Sequence, residues 1–188
     1  MSSKETNLIE KFRIALNSTA KVISDDLDLN KKSENKNNKD IISVEIDNLT
    51  NPSDFMRLRA ETDSSALKKK FSNDLIYKKN LPSNTSSRSL YNTAEKIRYE
   101  VLGGQMLKGI EKNFHENYSQ IINRKRKDQL KTKEDVPVAE AFELYMLKNF
   151  HKIKLNSLTS RMLSFWEKDF ENSIEKHKEF LMNNLENQ

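Results

Sequence analysis

With 188 residues and 35% hydrophobic side chains, the chain has material for about one ordinary domain, and its mean hydropathy of −0.84 leaves too little apolar surface to bury the whole length. Three glycines and three prolines are too few for a turn-rich β protein, and the absence of cysteine excludes disulfides, thiolate nucleophiles and cysteine zinc sites together. A formal charge of +5 invites an anionic partner, but Lys and Asn are spread along the entire chain, as A/T-rich coding produces, so the charge reads mainly as a solvated surface.

Leu8, Phe12, Ala15, Leu16 and Ile23 share one face of an amphipathic helix, with Thr6 as its expected N-cap and an end near Ile23. Ser24 to Asp40 has almost no large apolar side chains and reads as a mobile linker, because it cannot bury enough surface to offset its ordering entropy. Ile42, Val44 and Ile46 then alternate with Ser43, Glu45 and Asp47, which is strand periodicity, although a lone strand needs a partner to be stable. Asn51-Pro52-Ser53-Asp54 is a helix start: Asn51 caps, Pro52 takes the first helical position, and Asp54 faces the positive end of the dipole. That helix should run to about Ser72 on a thin apolar face of Phe55, Leu58, Ala66 and Phe71. Its other side is basic, with Arg57, Arg59 and Lys68 to Lys70.

After the Leu81-Pro82 interruption comes the most specific stretch, Ser89 to Phe114, which holds all three glycines. Leu90, Ala94, Ile97 and Val101 stack within roughly 60° of arc on a helix. A second stripe, about 100° away, places Glu95 and Arg98 between Tyr91 and Leu102, so this ion pair should be partly desolvated. An i, i+3 pair contributes only ~0.2–0.5 kcal/mol on an exposed helix, whereas stranding one member of a buried pair costs ~3–5 kcal/mol. Both residues should therefore resist single substitution, as an ion pair orienting the helix or as a partner contact. Leu107, Ile110, Phe114, Tyr118 and Ile121 form a further stripe whose phase, extended from the first, points about 130° away. Two adjacent glycines at such a jump predict a kink or tight helix joint at Gly103–Gly104; one straight helix between two partners is the alternative.

The dense basic run Arg124 to Lys127 follows and reads as cations near a helix C-terminus. Asp135-Val136-Pro137 restarts a helix carrying Val138, Ala141, Phe142, Leu144 and Tyr145 inward to roughly Phe150, with His151 as a cap at its end. His115 and His177 lie too far from it in sequence for a spacing-based metal site. Leu158, Met162, Phe165, Trp166, Ile174, His177, Leu181 and Leu185 then describe one long helix from about Ser157 to Asn184, with Phe165–Trp166 in the core. Its distal part could be an apolar surface lacking its natural cover.

Ala94-Glu95-x-x-Arg98-x-Glu100-x-Leu102-Gly103, followed by Met106, Gly109 and Asn113, resembles the N-terminal region of CobT, a subunit of the aerobic ATP-dependent cobaltochelatase. Family members read approximately A-V-E-Q-A-R-V-E-A-[IL]-G-x-x-x-M-x-G-x-x-x-N there. Lys11-Phe12-Arg13, Arg57-Leu58-Arg59-Ala60 through Asn73-Asp74, and Ala141-Phe142-Glu143-Leu144 carry weaker similarity, so the resemblance covers most of the chain. CobT proteins continue through an acidic linker into a von Willebrand A-type domain with a metal-binding Asp-x-Ser-x-Ser motif. That motif does not occur here, so the chain reads as the N-terminal module, a fragment or a truncated relative, with the C-terminal domain absent.

The resemblance implies a subunit that works with an AAA+ ATPase subunit while a large chelatase subunit inserts cobalt into a corrin precursor of cobalamin. It gives Glu95, Arg98, Glu100, Gly103, Met106, Gly109 and Asn113 structural or partner-contact roles. There is no phosphate-binding Gly-x-x-x-x-Gly-Lys-[Ser/Thr] loop and no ligand cluster, so no catalytic or metal residue is assigned. ATP and cobalt are expected on the partner subunits. The competing class is a free-standing basic module that binds nucleic acid or another protein, resting on Arg124–Lys127, but that run has no aromatic residue on which bases could stack. No secretory leader pattern and no apolar run of bilayer length occur, which with the resemblance gives an expectation of a bacterial cytoplasmic protein. The expected fold is all-α, an irregular bundle of about five helices: an N-terminal helix over 1–23, a disordered linker over 24–50 with a short strand if one forms, and a helical CobT-like domain over 51–188.

Overall fold

The computed structural model describes residues 3–25, 51–124 and 132–188. Helices occupy 80% of these residues and no strand occurs among them, which establishes the all-α class. The expected linker beyond Asp25, the alternating Ile41–Leu49 stretch and most of the basic run after Arg124 lie outside the described residues. None of the described helices is long and apolar enough to cross a membrane.

Two compact units divide the chain, 1–71 and 72–188. In the first, α1 (Ser3–Ile23) packs on α2 (Pro52–Phe71). Leu16, Ala20 and Ile23 of α1 and Leu58, Ala66 and Leu67 of α2 are buried, and Phe12 meets Phe55 edge-on at 4.9 Å between ring centroids. Asn51 caps α2 as expected, its Oδ1 accepting the Ser53 N–H at 3.0 Å and the Asp54 N–H at 3.2 Å. The start of α1 differs from expectation. It begins at Ser3, so Thr6 lies inside the helix and does not cap it.

The second unit contains α3 (Asp74–Asn80), α4 (Thr85–Met106), α5 (Lys108–Arg124), α6 (Val138–Asn149), α7 (Ser157–Ser164) and α8 (Glu167–Asn183). Its helix starts are written locally. Asn73 caps α3, Asn84 caps α4, and Asn156 forms a capping box with Thr159 at the head of α7. α4 packs on both α5 and α6, α6 on α7 and α8, and α7 on α8. Eight consecutive α4 residues, Ile97 to Gly104, are buried, which makes this the enclosed helix of the unit.

Eight described helices replace the five expected, and each extra break has a physical cause. No helix is expected between Ser72 and Leu81, yet Asn73 Oδ1 accepts the Leu75 and Ile76 N–H groups and starts α3 there. The break assigned to Gly103–Gly104 lies instead at Leu107, whose extended backbone ends α4 while its N–H still reaches the Gly103 carbonyl at 2.9 Å. Both glycines are helical and neither has positive φ. Gly104 supplies room: a Cβ there would stand 3.3 Å from the Glu111 Cβ of α5. Leu107 itself and Ile121, read as core, are exposed, and Ile122 takes the inward place instead. The single final helix is divided at Phe165–Trp166, because Trp166 leaves helical geometry and its indole N–H donates to the Val136 carbonyl at 3.0 Å. Phe165 and Trp166 are half-buried, not fully enclosed, with Trp166 stacked on Phe170 at 6.4 Å.

Space at Gly104 and its absence as a requirement at Gly109, where nothing lies within 4 Å of a built Cβ, give opposite expectations. Gly104→Val forces α5 away from α4 and lowers stability by about 1–3 kcal/mol, whereas Gly109→Ala is neutral or raises it by up to about 1 kcal/mol. Thermal or urea unfolding of the two variants checks the contrast.

Candidate functional site around the enclosed helix

Arg98 and Glu100 are two residues apart on α4, roughly 200° around the helix, so they face opposite sides of an element that is buried on both. On the first side the i, i+3 pair forms as the spacing predicts. Arg98 Nε donates to Glu95 Oε1 at 3.2 Å and Nη2 to Glu95 Oε2 at 3.3 Å, with the side chains 10% and 14% exposed. The pair also reaches outward in sequence. Arg98 Nη1 donates to the Leu185 carbonyl at 2.8 Å, Gln188 Nε2 donates to Glu95 Oε2 at 2.7 Å, and Gln188 Oε1 accepts the Asn73 N–H at 2.5 Å.

On the second side Glu100 is enclosed by groups from other segments. The Tyr118 hydroxyl of α5 donates to Glu100 Oε2 at 2.6 Å, His151 Nε2 lies 3.3 Å from the same oxygen, and Lys96 Nζ stands 4.0 Å from Oε1 and 5.4 Å above the Tyr118 ring. His151 also packs against the rings of Phe114 and Tyr118, at 5.7 and 5.6 Å. This corrects the sequence reading of His151 as a cap. Lys152 adopts φ 57° and the Ile153 N–H reaches back to the Leu147 carbonyl at 3.1 Å, a left-handed helix ending that accompanies a His151 packed inward. Burial, then the Glu100 charge and hydrogen bond, hold the Tyr118 hydroxyl well above the usual phenol range, so it stays a protonated donor.

The seven motif residues do not converge on one point. Glu95 and Arg98 form one cluster, Glu100 belongs to another, and Gly103 is buried within α4, its carbonyl accepting from Leu107. Met106 is 40% exposed, Gly109 is exposed and Asn113 is half-buried, so the latter part of the motif lies on or near the surface at the α4–α5 corner. Sequence reasoning missed Tyr118 as a hydrogen-bonding group, His151 as its neighbour, and the Leu185–Gln188 contact. The only sequence signals were a tyrosine on an apolar stripe and a histidine beside a helix end. Among the described residues no three His, Asp or Glu side chains gather into a group that could hold a metal ion.

The motif at Ala94–Asn113 thus spans an enclosed helix and its exposed corner, and comparison with protein families matches residues 6–188 to the family described as cobalamin biosynthesis protein CobT. The chain belongs to the CobT family. Comparisons with curated proteins and with solved structures find no match. Membership of a cobalamin biosynthesis family accounts for the resemblance extending well beyond the central motif, since the matched span includes both compact units.

Two substitutions separate the faces of α4 in this CobT-family chain. Arg98→Ala leaves the Glu95 carboxylate and the Leu185 carbonyl short of their donor in a largely dry site, and is expected to lower stability by about 3–5 kcal/mol in denaturant unfolding. Tyr118→Phe removes the donor to buried Glu100, at about 1.5–3 kcal/mol near neutral pH. The raised Tyr118 pKa contributes stability that is fully present below the unfolded phenol value of about 10 and is lost as pH rises through the higher folded value. Above about pH 10 the parent chain should therefore lose stability more steeply than Tyr118→Phe, as followed by unfolding midpoints across the alkaline range.

Proposed function

We propose that the chain is a non-catalytic helical component of a CobT-type cobaltochelatase, acting in the bacterial cytoplasm. In this reading it works with an AAA+ ATPase subunit while a large chelatase subunit inserts cobalt into the corrin ring during cobalamin biosynthesis. ATP and the cobalt substrate would be handled by those partners. The observation that carries the reading is the family match over residues 6–188. The placement of the motif supports a binding role. Its first half, through Gly103, lies in the enclosed part of α4, and its second half presents Met106, Leu107 and an open Gly109 at one corner. A helical glycine that no neighbour requires costs ~1 kcal/mol relative to alanine, which is unexplained by packing within this chain and fits a surface that another molecule approaches closely.

The test is co-purification with the AAA+ ATPase subunit of a cobaltochelatase, with melting temperature measured on the same preparations. Met106→Glu and Gly109→Arg are expected to keep the melting temperature within a few degrees and to lose most of the bound ATPase, while Gly104→Val loses melting temperature first. Retention of the ATPase by both corner variants, or failure of the parent chain to bind it at all, contradicts the proposal.

A further inference from the structure

The distal half of α8 is held in an unusual way. Phe170 is the only buried residue of that helix, and from 171 to 184 no side chain is buried; Phe180 and Leu181 are 66% and 42% exposed. Lys178 Nζ donates to Asn149 Oδ1 at 2.9 Å partway along. Ile174 and Met182 are half-buried along the way; the next fully buried side chain is Leu185, 8% exposed, and around it stand the contacts of Arg98 with the Leu185 carbonyl and of Gln188 with Glu95 and the Asn73 N–H. One fully buried leucine, two half-buried apolar side chains and a small set of polar contacts thus fasten a helical segment several turns long.

We propose that residues 185–188 form a latch on the Glu95–Arg98 pair, and that the latch and the distal half of α8 open together while α4, α5 and α6 stay folded. The chemistry of the latch is selective. The Gln188 carboxamide donates to a carboxylate with its nitrogen and accepts a backbone N–H with its oxygen, a combination that neither a carboxylate nor an apolar side chain reproduces. A carboxylate at 188 would face Glu95 directly. Segments with few buried apolar contacts are those that open below the global unfolding free energy, and here such a segment is tied to a pair that is itself nearly dry. Opening withdraws the carbonyl that Arg98 Nη1 binds and uncovers the seat of Leu185, leaving Glu95 and Arg98 bound to each other and facing solvent. The latch rests on geometry within the second unit and is independent of the chelatase reading.

Hydrogen exchange followed by NMR on the full chain tests it, with Gln188→Glu and Gln188→Met as variants. In the parent chain, amides in 175–184 and the Asn73 amide are expected to exchange through a common opening, faster than those of Ile97–Gly104. Either variant should accelerate the first group by about tenfold or more and leave the second within about twofold. Acceleration spread equally over both groups would show that 185–188 belongs to the cooperative core, and no acceleration at Asn73 in either variant would show that Gln188 fastens nothing. Either result overturns the latch.

Discussion

Enclosing the Ile97–Gly104 stretch of α4 creates the constraint that the second unit is arranged around, because the helix carries Arg98 and Glu100 into that enclosure. An unpaired polar or charged group in a dry site costs up to several kcal/mol, and Glu95 and Lys96 on α4 itself supply only part of what Arg98 and Glu100 need. The rest comes from far along the chain. Tyr118 arrives on α5 and the Leu185–Gln188 segment from beyond α8, while His151, in the turn after α6, stands 3.3 Å from Glu100 without hydrogen-bonding to it. Apolar burial between helices is tolerant of small shifts, whereas a hydrogen bond weakens steeply away from its preferred distance and angle. The result is that polar groups help fix where α5 and residues 185–188 stand against α4, while fully buried side chains such as Phe114, Leu144, Tyr145 and Leu163 belong to the apolar core.

The corner between α4 and α5 shows the same economy. Gly104 lets the Glu111 backbone approach, and the extended Leu107 turns the chain with a single non-helical residue. Close packing there brings Tyr118, two turns further along α5, to Glu100. The glycine and the buried hydrogen bond are therefore parts of one arrangement. Met106 and Gly109 lie outside it, exposed at the corner and not required by its packing.

The all-α class, the Asn51–Pro52 helix start and the Glu95–Arg98 pair were legible because each is written locally, in composition, in capping residues or in an i, i+3 spacing. The breaks at Leu107 and Trp166 were not, since both are decided by tertiary contact: α5 closing on Gly104, and an indole reaching the Val136 carbonyl. The helical phase pointed to a break near Gly103–Gly104, three to four residues before Leu107, because glycine is the usual cause of such a change and a leucine is not. Glu100 was selected by the motif without a physical role. Its helical angle falls off both apolar stripes, and only the approach of Tyr118 from α5 and of His151 after α6 makes that side interior. His151 was read as a cap for the corresponding reason, as its burial depends on a left-handed Lys152 that no local pattern announces.

Membership of the CobT family gives this arrangement a setting in cobalamin biosynthesis, and the account rests on α4 recruiting distant segments through buried polar contacts. A double-mutant cycle between Glu100→Gln and Tyr118→Phe measures that most directly, since the two residues are joined by one 2.6 Å hydrogen bond between helices. The account predicts a coupling energy of at least about 1 kcal/mol by urea unfolding near neutral pH. Additivity within about 0.3–0.5 kcal/mol would contradict it, and would mean that α4 and α5 are positioned by apolar packing alone.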